Sequence, residues 1–364
     1  MEQTIGFLER FPYLTSLITF IIGLITMPFV LNFAKSRNMV VRPNKRTSHT
    51  GSVPNIGGLN IFASLMLIFI IMLIGEKMRP PFFIGFCLIF IIGFIDDRLV
   101  LSAYWKIVGE TLCAFFLIYF ADIRITSLYG IFGIYELHPM ISYALSYLAY
   151  MVIINALNLI DGVDGLASGL SILYFLFFGI WFLLTGITYY SIICFAVIGS
   201  LTVFFLYNVF GRSKRKIFMG DSGSLMLGYI ISATVIIFLE KNKIPTDSIL
   251  YFPNAPVTVL TVIFIPIFDV FRVSITRLKN KKSVLAADKN HIHHLLLRLG
   301  MSHKQVTFLL LAITLVYFFI AIVLKDYSLW VQLFIILLIG CMIIFIIWKF
   351  INIKNQKQNN ETLN

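Results

Sequence analysis

The feature that most constrains this chain is a succession of long apolar runs separated by short polar loops. Eleven runs are read, at 14–33, 60–74, 81–95, 105–121, 141–159, 166–184, 189–207, 222–239, 257–275, 304–324 and 328–351. About 20 apolar residues in a helix cross a bilayer, and inside lipid the backbone must satisfy its own hydrogen bonds. The runs are hydrophobic all round, as helices facing lipid and one another are. With 59% hydrophobic and only 13% charged residues, and a mean hydropathy of +0.92, a soluble fold is excluded. The expectation is an all-α integral membrane protein of about eleven transmembrane helices. One domain covers 1–351, and a polar, disordered cytoplasmic tail covers 352–364. The runs 60–74 and 81–95 are short, so tilted or partly re-entrant segments are allowed there.

The first run is too long for the core of a signal peptide. Basic loop residues follow it instead of a small-residue cleavage site, so it reads as a retained helix. Cys87, Cys113, Cys194 and Cys341 each stand alone in an apolar run, with neither metal spacing nor pairing logic. Alternating the loops across eleven spans puts twenty-two of the 29 Lys and Arg residues on one side and seven on the other. The basic side is cytoplasmic, which leaves the N-terminus outside and the C-terminus inside. The net charge of +12 then reflects attraction to anionic lipid. Nucleic acid is not an expected partner, because the basic residues are spread over short interhelical loops.

Chemistry gathers in the cytoplasmic loops. The stretch Asn155-Ala-Leu-Asn-Leu-Ile-Asp-Gly-Val-Asp-Gly-Leu-Ala-Ser-Gly169 repeats an amide or carboxylate every third residue, at Asn155, Asn158, Asp161 and Asp164. The first two share a helix face, and the glycines then break the helix. A solvated turn would explain one such residue; four in register between apolar runs point to a ligand or metal. Asp96 and Asp97 end the run 81–95 and repel each other unless a cation or proton lies between them. Mg²⁺ suits them, because it takes few carboxylates and completes its shell with water and phosphate. Lys106 follows where it could meet that phosphate. Asp221 sits between glycines ahead of Ser222 and Ser224, where helix amides could take phosphate and Asp221 a divalent ion. A plain N-cap is the competitor there.

The first cytoplasmic loop carries Lys45, Arg46 and His49, which could hold phosphate, with Gly57-Gly58; taken alone, a positive-inside loop explains it better. The last loop brings together His291, His293 and His294. Adjacent histidines fit one zinc centre poorly, and phosphate binding beside Lys and Arg fits better. Five loops on one side thus describe a site for a metal-chelated pyrophosphate at the cytoplasmic face.

Four pieces occur in one order: Gly93-Phe-Ile-Asp-Asp97, the 155–169 stretch, Phe218-Met-Gly-Asp-Ser-Gly223 and Ala287-Asp-Lys-Asn-His-Ile-His-His294. In this the chain resembles the polyprenyl-phosphate N-acetylhexosamine-1-phosphate transferases. That family includes the enzymes that start enterobacterial common antigen, O-antigen and wall teichoic acid, and more distantly the muramoyl-pentapeptide transferase. The resemblance implies transfer of an N-acetylhexosamine-1-phosphate from a UDP-amino-sugar to undecaprenyl phosphate, releasing UMP, at a bacterial inner membrane. The implied cofactor is Mg²⁺, with Mn²⁺ as a substitute. The oligomeric state is left open, a homodimer included.

The resemblance also distributes roles. Asp96 and Asp97 match the acidic pair near the lipid phosphate, the first as general base. Asn158, Asp161 and Asp164 match nucleotide-sugar contacts, the His291–His294 segment the phosphate and sugar loop, and Asp221 the metal ligand; Asp161, Asp164 and His291 join the acidic pair as catalytic candidates. Lys45, His49, Lys106, Asn155, Asn158, Asn208, Phe218, His293 and His294 are the candidate substrate contacts, with Phe218 stacking on uracil. The family's further acid three residues after the pair is replaced by Val100. In the muramoyl branch the last loop has three consecutive histidines with an acid and an aromatic close behind. Here His291-Ile-His293-His294 runs into three leucines, so the implied donor is UDP-GlcNAc, with GalNAc or a 6-deoxy sugar as its rival.

Two other classes compete. A cation-coupled transporter would place acids near the bilayer midplane within two related halves, and no internal repeat is found. An aromatic prenyltransferase would use the Asp pair with Mg²⁺ but gives the histidine segment no role.

The charge split makes a topology prediction. In intact cells, single cysteines placed near Arg46, Lys214 and Lys281 should be shielded from a membrane-impermeant thiol reagent, and one near Lys241 should react. Labelling of the first three overturns the orientation.

Overall fold

The computed structural model describes residues 2–41, 53–212, 215–243, 248–281 and 290–363. Its helices are α1 (Glu2–Arg10), α2 (Leu14–Ser36), α3 (Gly57–Ile74), α4 (Pro80–Leu99), α5 (Ala103–Phe115, closing in a π turn over Phe116–Phe120), α6 (Pro139–Ile160) and α7 (Leu166–Leu184). They continue as α8 (Thr188–Val209), α9 (Gly220–Lys241), α10 (Ala255–Val262), α11 (Phe264–Lys279), α12 (Ile292–Arg298), α13 (His303–Val323) and α14 (Leu329–Leu363). Among the described residues nine helices are long and apolar enough to cross a membrane, and α10 with α11 would make a tenth as one broken span. Helix α4, whose 20 residues carry Asp96, Asp97 and Arg98 near their end, covers the expected run 81–95 but is not among these. The chain is a multi-pass helical membrane protein.

Three features depart from expectation. The run 257–275 is not one straight helix: α10 and α11 meet at 84°. Pro266 lies four residues after Val262 and cannot donate to its carbonyl, which breaks the ladder there. The segment expected as a disordered tail continues α14 to Leu363. At about 1.5 Å per residue the helix is roughly 50 Å long, so its polar end projects beyond a bilayer core of about 30 Å. Two short hairpins also interrupt the all-α pattern. In the first, β1 (Val40–Val41) pairs antiparallel with β2 (Val53–Pro54); in the second, β3 (Ser127–Ile131) pairs with β4 (Ile134–Glu136).

Helix α9 is the centre of the bundle, with its best membrane-length window wholly buried. It packs on α4 and α6, and next on α3 and α7. Without a hydrophobic drive between helices in lipid, close approach depends on small residues. A Cβ on Gly93 of α4 would lie 2.5 Å from the Ser222 Cα, and one on Gly58 of α3 would lie 2.3 Å from the Gly223 amide nitrogen. Both contacts are with the backbone of α9, so neither can be relieved by a rotamer change. Polar side chains pin the periphery. Thr15 and Thr19 of α2 donate to the Ile192 and Ala196 carbonyls of α8 at 3.0 and 2.7 Å. Asn60 donates to the Gly23 carbonyl at 3.0 Å and to Thr26 at 2.9 Å.

The two ends of the bundle carry different groups. At one end Lys77 pairs with Glu9 at 2.9 Å, Arg124 pairs with Asp122 at 2.7 Å, and Glu240 accepts from the Thr126 amide at 2.8 Å. At the other end α3, α4, α5, α6, α7 and α9 bring their polar termini together.

The α4–α9 crossing gives a stability test. Gly93→Ala should destabilise the protein by about 1–3 kcal/mol through backbone overpacking, seen as a lowered melting temperature in detergent. Gly6→Ala, with nothing within 4 Å of the added carbon, should leave it unchanged.

Candidate active site

The site grows from the amino end of α9. The first amides of a helix have no partner within it, and here Asp97 supplies one. Its Oδ1 accepts from the Asp221 amide at 2.6 Å, and its Oδ2 accepts from the Ser222 amide at 3.0 Å and the Ser222 hydroxyl at 2.7 Å. Asn55 adds a fourth donor at 3.2 Å. Gly220 reaches this position with φ +75°, and a Cβ there would meet Asp97 Oδ2 at 2.5 Å. Only glycine fits. Asp97, expected among the catalytic acids, is therefore committed to holding α9.

Asp221 then projects from the first turn of α9 toward α5 and α6. Its Oδ1 accepts from Lys106 Nζ at 2.9 Å and from the amide of Asn158. The same ammonium lies 3.1 Å from Asp96 Oδ2 and 3.4 Å from Asn158 Oδ1, so Lys106 bridges two carboxylates and an amide. Asp96 is buried, and its other oxygen accepts from the Leu101 amide at 2.7 Å. Asn158 also donates to Ser224 at 2.8 Å. One turn earlier, Asn155 donates to Glu110 at 3.0 Å and to the Met151 carbonyl at 2.9 Å. Glu110, one turn along α5 from Lys106, is fully buried and its second oxygen has no partner among the described residues.

The turn between α6 and α7 carries the remaining acids. Asp164 pairs with Lys216 at 2.6 Å and lies 3.4 Å from His303 Nδ1. Burial alone would raise its carboxyl, but the hydrogen bonds from His303 and Lys216 and the lysine charge hold it below the ordinary range. Asp161 has no such help. Its carboxylate takes no hydrogen bond among the described residues, and it is pushed well up by desolvation and then by the charges of Asp221, Asp97 and Asp164.

Asn208 has a different place from the expected substrate contact. It is buried, accepts from the Gly165 amide at 2.5 Å and donates to the Ile217 carbonyl at 2.6 Å. It clamps the Asp161–Asp164 turn to the segment before α9. Phe218 in that segment has the Lys216 ammonium 5.6 Å from its ring centre. Backbone bonds join the same segment to α3 and β2: Gly57 to Phe218 at 2.8 Å, Gly58 to Met219 at 2.9 Å, and Phe218 to Pro54 at 2.8 Å. Lys45 and His49 lie outside the described residues.

The histidines approach from α12. His293 is buried with neither ring nitrogen partnered among the described residues, and its Nε2 would be 2.8 Å from a Cβ on Gly162. Desolvation, then the neighbouring His294, pushes it from 6.5 to about 3. His291 and His293 stack with centroids 5.9 Å apart, and His294 tilts against His293 at 4.2 Å. His291 Nδ1 contacts Asp269 at 2.8 Å.

Several of these partners are not singled out by the sequence reading. Asp269 and Arg272 interrupt an apolar run, and Glu110 interrupts another; a charge inside a predicted span is the signal that could have found them. Lys216 and His303 carry no local signal at all.

No group of three or more His, Cys, Asp or Glu residues forms a metal cage among the described residues. Mg²⁺ does not need one, since one or two carboxylates with substrate phosphates suffice. The uncompensated Asp161 and the excess of acids over Lys106 and Lys216 fit an added cation.

A membrane-embedded cluster of this kind defines a class, and comparison with known proteins names it. Residues 80–239 match the model of glycosyl transferase family 4. The undecaprenyl-phosphate alpha-N-acetylglucosaminyl 1-phosphate transferase of Pasteurella multocida (strain Pm70) is 32% identical over 306 residues, covering 82% of each chain. The Escherichia coli (strain K12) protein of the same name is 31% identical over 280 residues, 76% of this chain and 74% of the relative. A Bacillus subtilis (strain 168) protein, named as a probable undecaprenyl-phosphate N-acetylglucosaminyl 1-phosphate transferase, is 33% identical over 334 residues, 88% of each. The chain belongs to this family.

His293 makes the site sensitive to pH. Its folded value lies below the unfolded one, so the unfolded chain binds the extra proton and stability falls as pH drops from about 6.5 toward 3. His293→Gln should flatten the fall in melting temperature between pH 6.5 and pH 4. An identical slope in the variant would remove His293 as its source.

Proposed function

We propose that this protein transfers GlcNAc-1-phosphate from UDP-GlcNAc to undecaprenyl phosphate, releasing UMP, as the first membrane step of a cell-surface glycan. The reading places the site at the cytoplasmic face of a bacterial inner membrane, with the N-terminus outside and the C-terminus inside. The observation that carries it is the bridge of Lys106 between Asp96 and Asp221 beside Asn158, in a chain of this family. One ammonium shared by two carboxylates at a helix end is a place where phosphate charge can be exchanged for carboxylate charge.

In the reaction an oxygen of the lipid phosphate forms a bond to the β-phosphorus of the UDP-sugar. The bridging P–O bond breaks, and its electron pair leaves with UMP. Lys106 draws the phosphates together, and Asp96 receives any proton still held by the lipid phosphate. Asn158 and the stacked histidines orient the donor, Phe218 lies where a base could stack, and Lys216 keeps Asp164 ionised. Asp221, with Asp161 near it, would hold Mg²⁺, which when bound supplies neutralisation of the phosphate charge. Direct displacement is preferred because it needs only positioning and charge stabilisation.

Purified protein with undecaprenyl phosphate, Mg²⁺ and a panel of UDP-sugars should release UMP, and mass spectrometry should find the lipid carrying GlcNAc-diphosphate. Asp221→Ala should lose about 10²-fold or more in turnover while its melting temperature is kept. Efficient transfer from UDP-MurNAc-pentapeptide, with UDP-GlcNAc inert, would sink the donor assignment.

A further inference from the structure

The break between α10 and α11 has a consequence for the histidine segment. It turns α11 so that Asp269, only 3% exposed, meets α12. The two carboxylate oxygens have separate tasks. Oδ1 accepts from Arg272 Nη2 at 2.6 Å and from the Ile292 amide at 3.0 Å. Oδ2 faces His291 Nδ1 at 2.8 Å. Arg272 is tied in turn to the Asn290 carbonyl, which fixes the residue before His291. The far nitrogen, His291 Nε2, is buried and has no partner among the described residues. Its ring stacks on His293, whose Nε2 lies against Gly162 of the acidic turn. A buried ring nitrogen left open beside a substrate site, with its opposite nitrogen pinned, is aimed at something absent.

We infer that Asp269 is a positioning residue that fixes the His291 tautomer: the ring carries its proton on Nδ1, donated to Asp269, and Nε2 accepts a hydrogen bond from the donor sugar. The sugar offers the matching groups, a ring hydroxyl or the acetamido N–H. This deepens the proposed activity and rests on it for the identity of the ligand, but the tautomer itself does not depend on turnover. The carboxylate is needed because, ionised, it can only accept, so Nδ1 must donate to it.

The division of the oxygens makes Asp269→Asn a sharp probe. The two donors on Oδ1 require an oxygen there, so the variant must turn its NH₂ toward His291 Nδ1. That forces the proton to Nε2, and a donor then faces the sugar's own donor. Nitrogen-15 spectra of labelled histidines in detergent, with the His291 signals assigned by His291→Gln, should show an Nδ1–H ring in the native protein and an Nε2–H ring in Asp269→Asn. The kcat/KM for UDP-GlcNAc should fall about 10- to 100-fold, while the KM for the lipid phosphate stays within a factor of two. In a His291→Ala background the Asp269→Asn change should cost nothing further, because its effect passes through the ring.

An Nε2–H or doubly protonated ring in the native protein overturns the inference, as does an equal loss in both backgrounds. The native spectrum requires no variant, so a poorly folding Asp269→Asn leaves that decision intact. If the native protein releases no UMP from any UDP-sugar, the proposed activity fails, and the spectrum still decides what Asp269 does.

Discussion

Everything at the polar end of the bundle depends on Asp97 receiving the amino end of α9. Among the described spans that helix is the most buried, and its first residues are buried too, where an unpaired amide is costly. A carboxylate with both oxygens engaged is the strongest acceptor available to them, each such bond being worth roughly 1.5–3 kcal/mol. The Gly93–Ser222 and Gly58–Gly223 contacts bring the backbones close enough for it. With the amides satisfied from α4, Asp221 is released from any capping duty and can face Lys106 and Asn158. The bland expectation for Asp221, a simple N-cap, is thus fulfilled by a different aspartate 124 positions earlier.

The charges around this helix end are arranged in unequal pairs. Asp96 and Asp221 share one ammonium, and Asp164 has Lys216 and His303. Asp161 has none, and its burial, with the charges of its acidic neighbours added, drives it toward its neutral form. Such a cluster does not favour an anionic pyrophosphate by itself. It suits a pyrophosphate that would arrive with a cation, which Asp161 and Asp221 would hold, leaving Lys106 to meet the phosphate.

What the sequence disclosed and what it hid divide along the same physical line. The helices, the loop acids and the 155–169 stretch are legible because they are local: run length, period and glycine breaks are properties of contiguous residues. The roles of Asp97 and Asn208 are not, since each is defined by backbone groups far away in sequence, at Asp221, Gly165 and Ile217. The bend before α11 is a mixed case. Pro266 stands in plain view, but a proline in a membrane helix can be tolerated, and only packing decides that it breaks the span. Missing the bend meant missing Asp269, which a straight helix would have left as an unexplained acid. The polar residues after Ile351 have the composition of a disordered tail, yet they extend a helix already nucleated by the apolar run before them.

A transporter would need polar groups along a route across the membrane, and α9, as the central helix, is where that route would have to run. Its interior polar residues are spent locally. Ser232 donates to the Gly228 carbonyl at 2.7 Å and Thr234 to the Ile230 carbonyl at 2.8 Å, within the helix itself. Leu225, Leu227, Ile231 and Ile236 between and around them are buried and apolar. Tyr229 donates to the Phe82 carbonyl at 3.1 Å, which ties α9 to α4 instead of opening a path. The acids stop within the first turn of α9 and reappear only at its far end, in Glu240. Glu110, reaching deeper from the site along α5, is held by Asn155 of the same cluster. Along α9 the acids sit at the two ends and not between them, and the cluster at its amino end lies where a water-soluble donor can meet a lipid that stays in the bilayer.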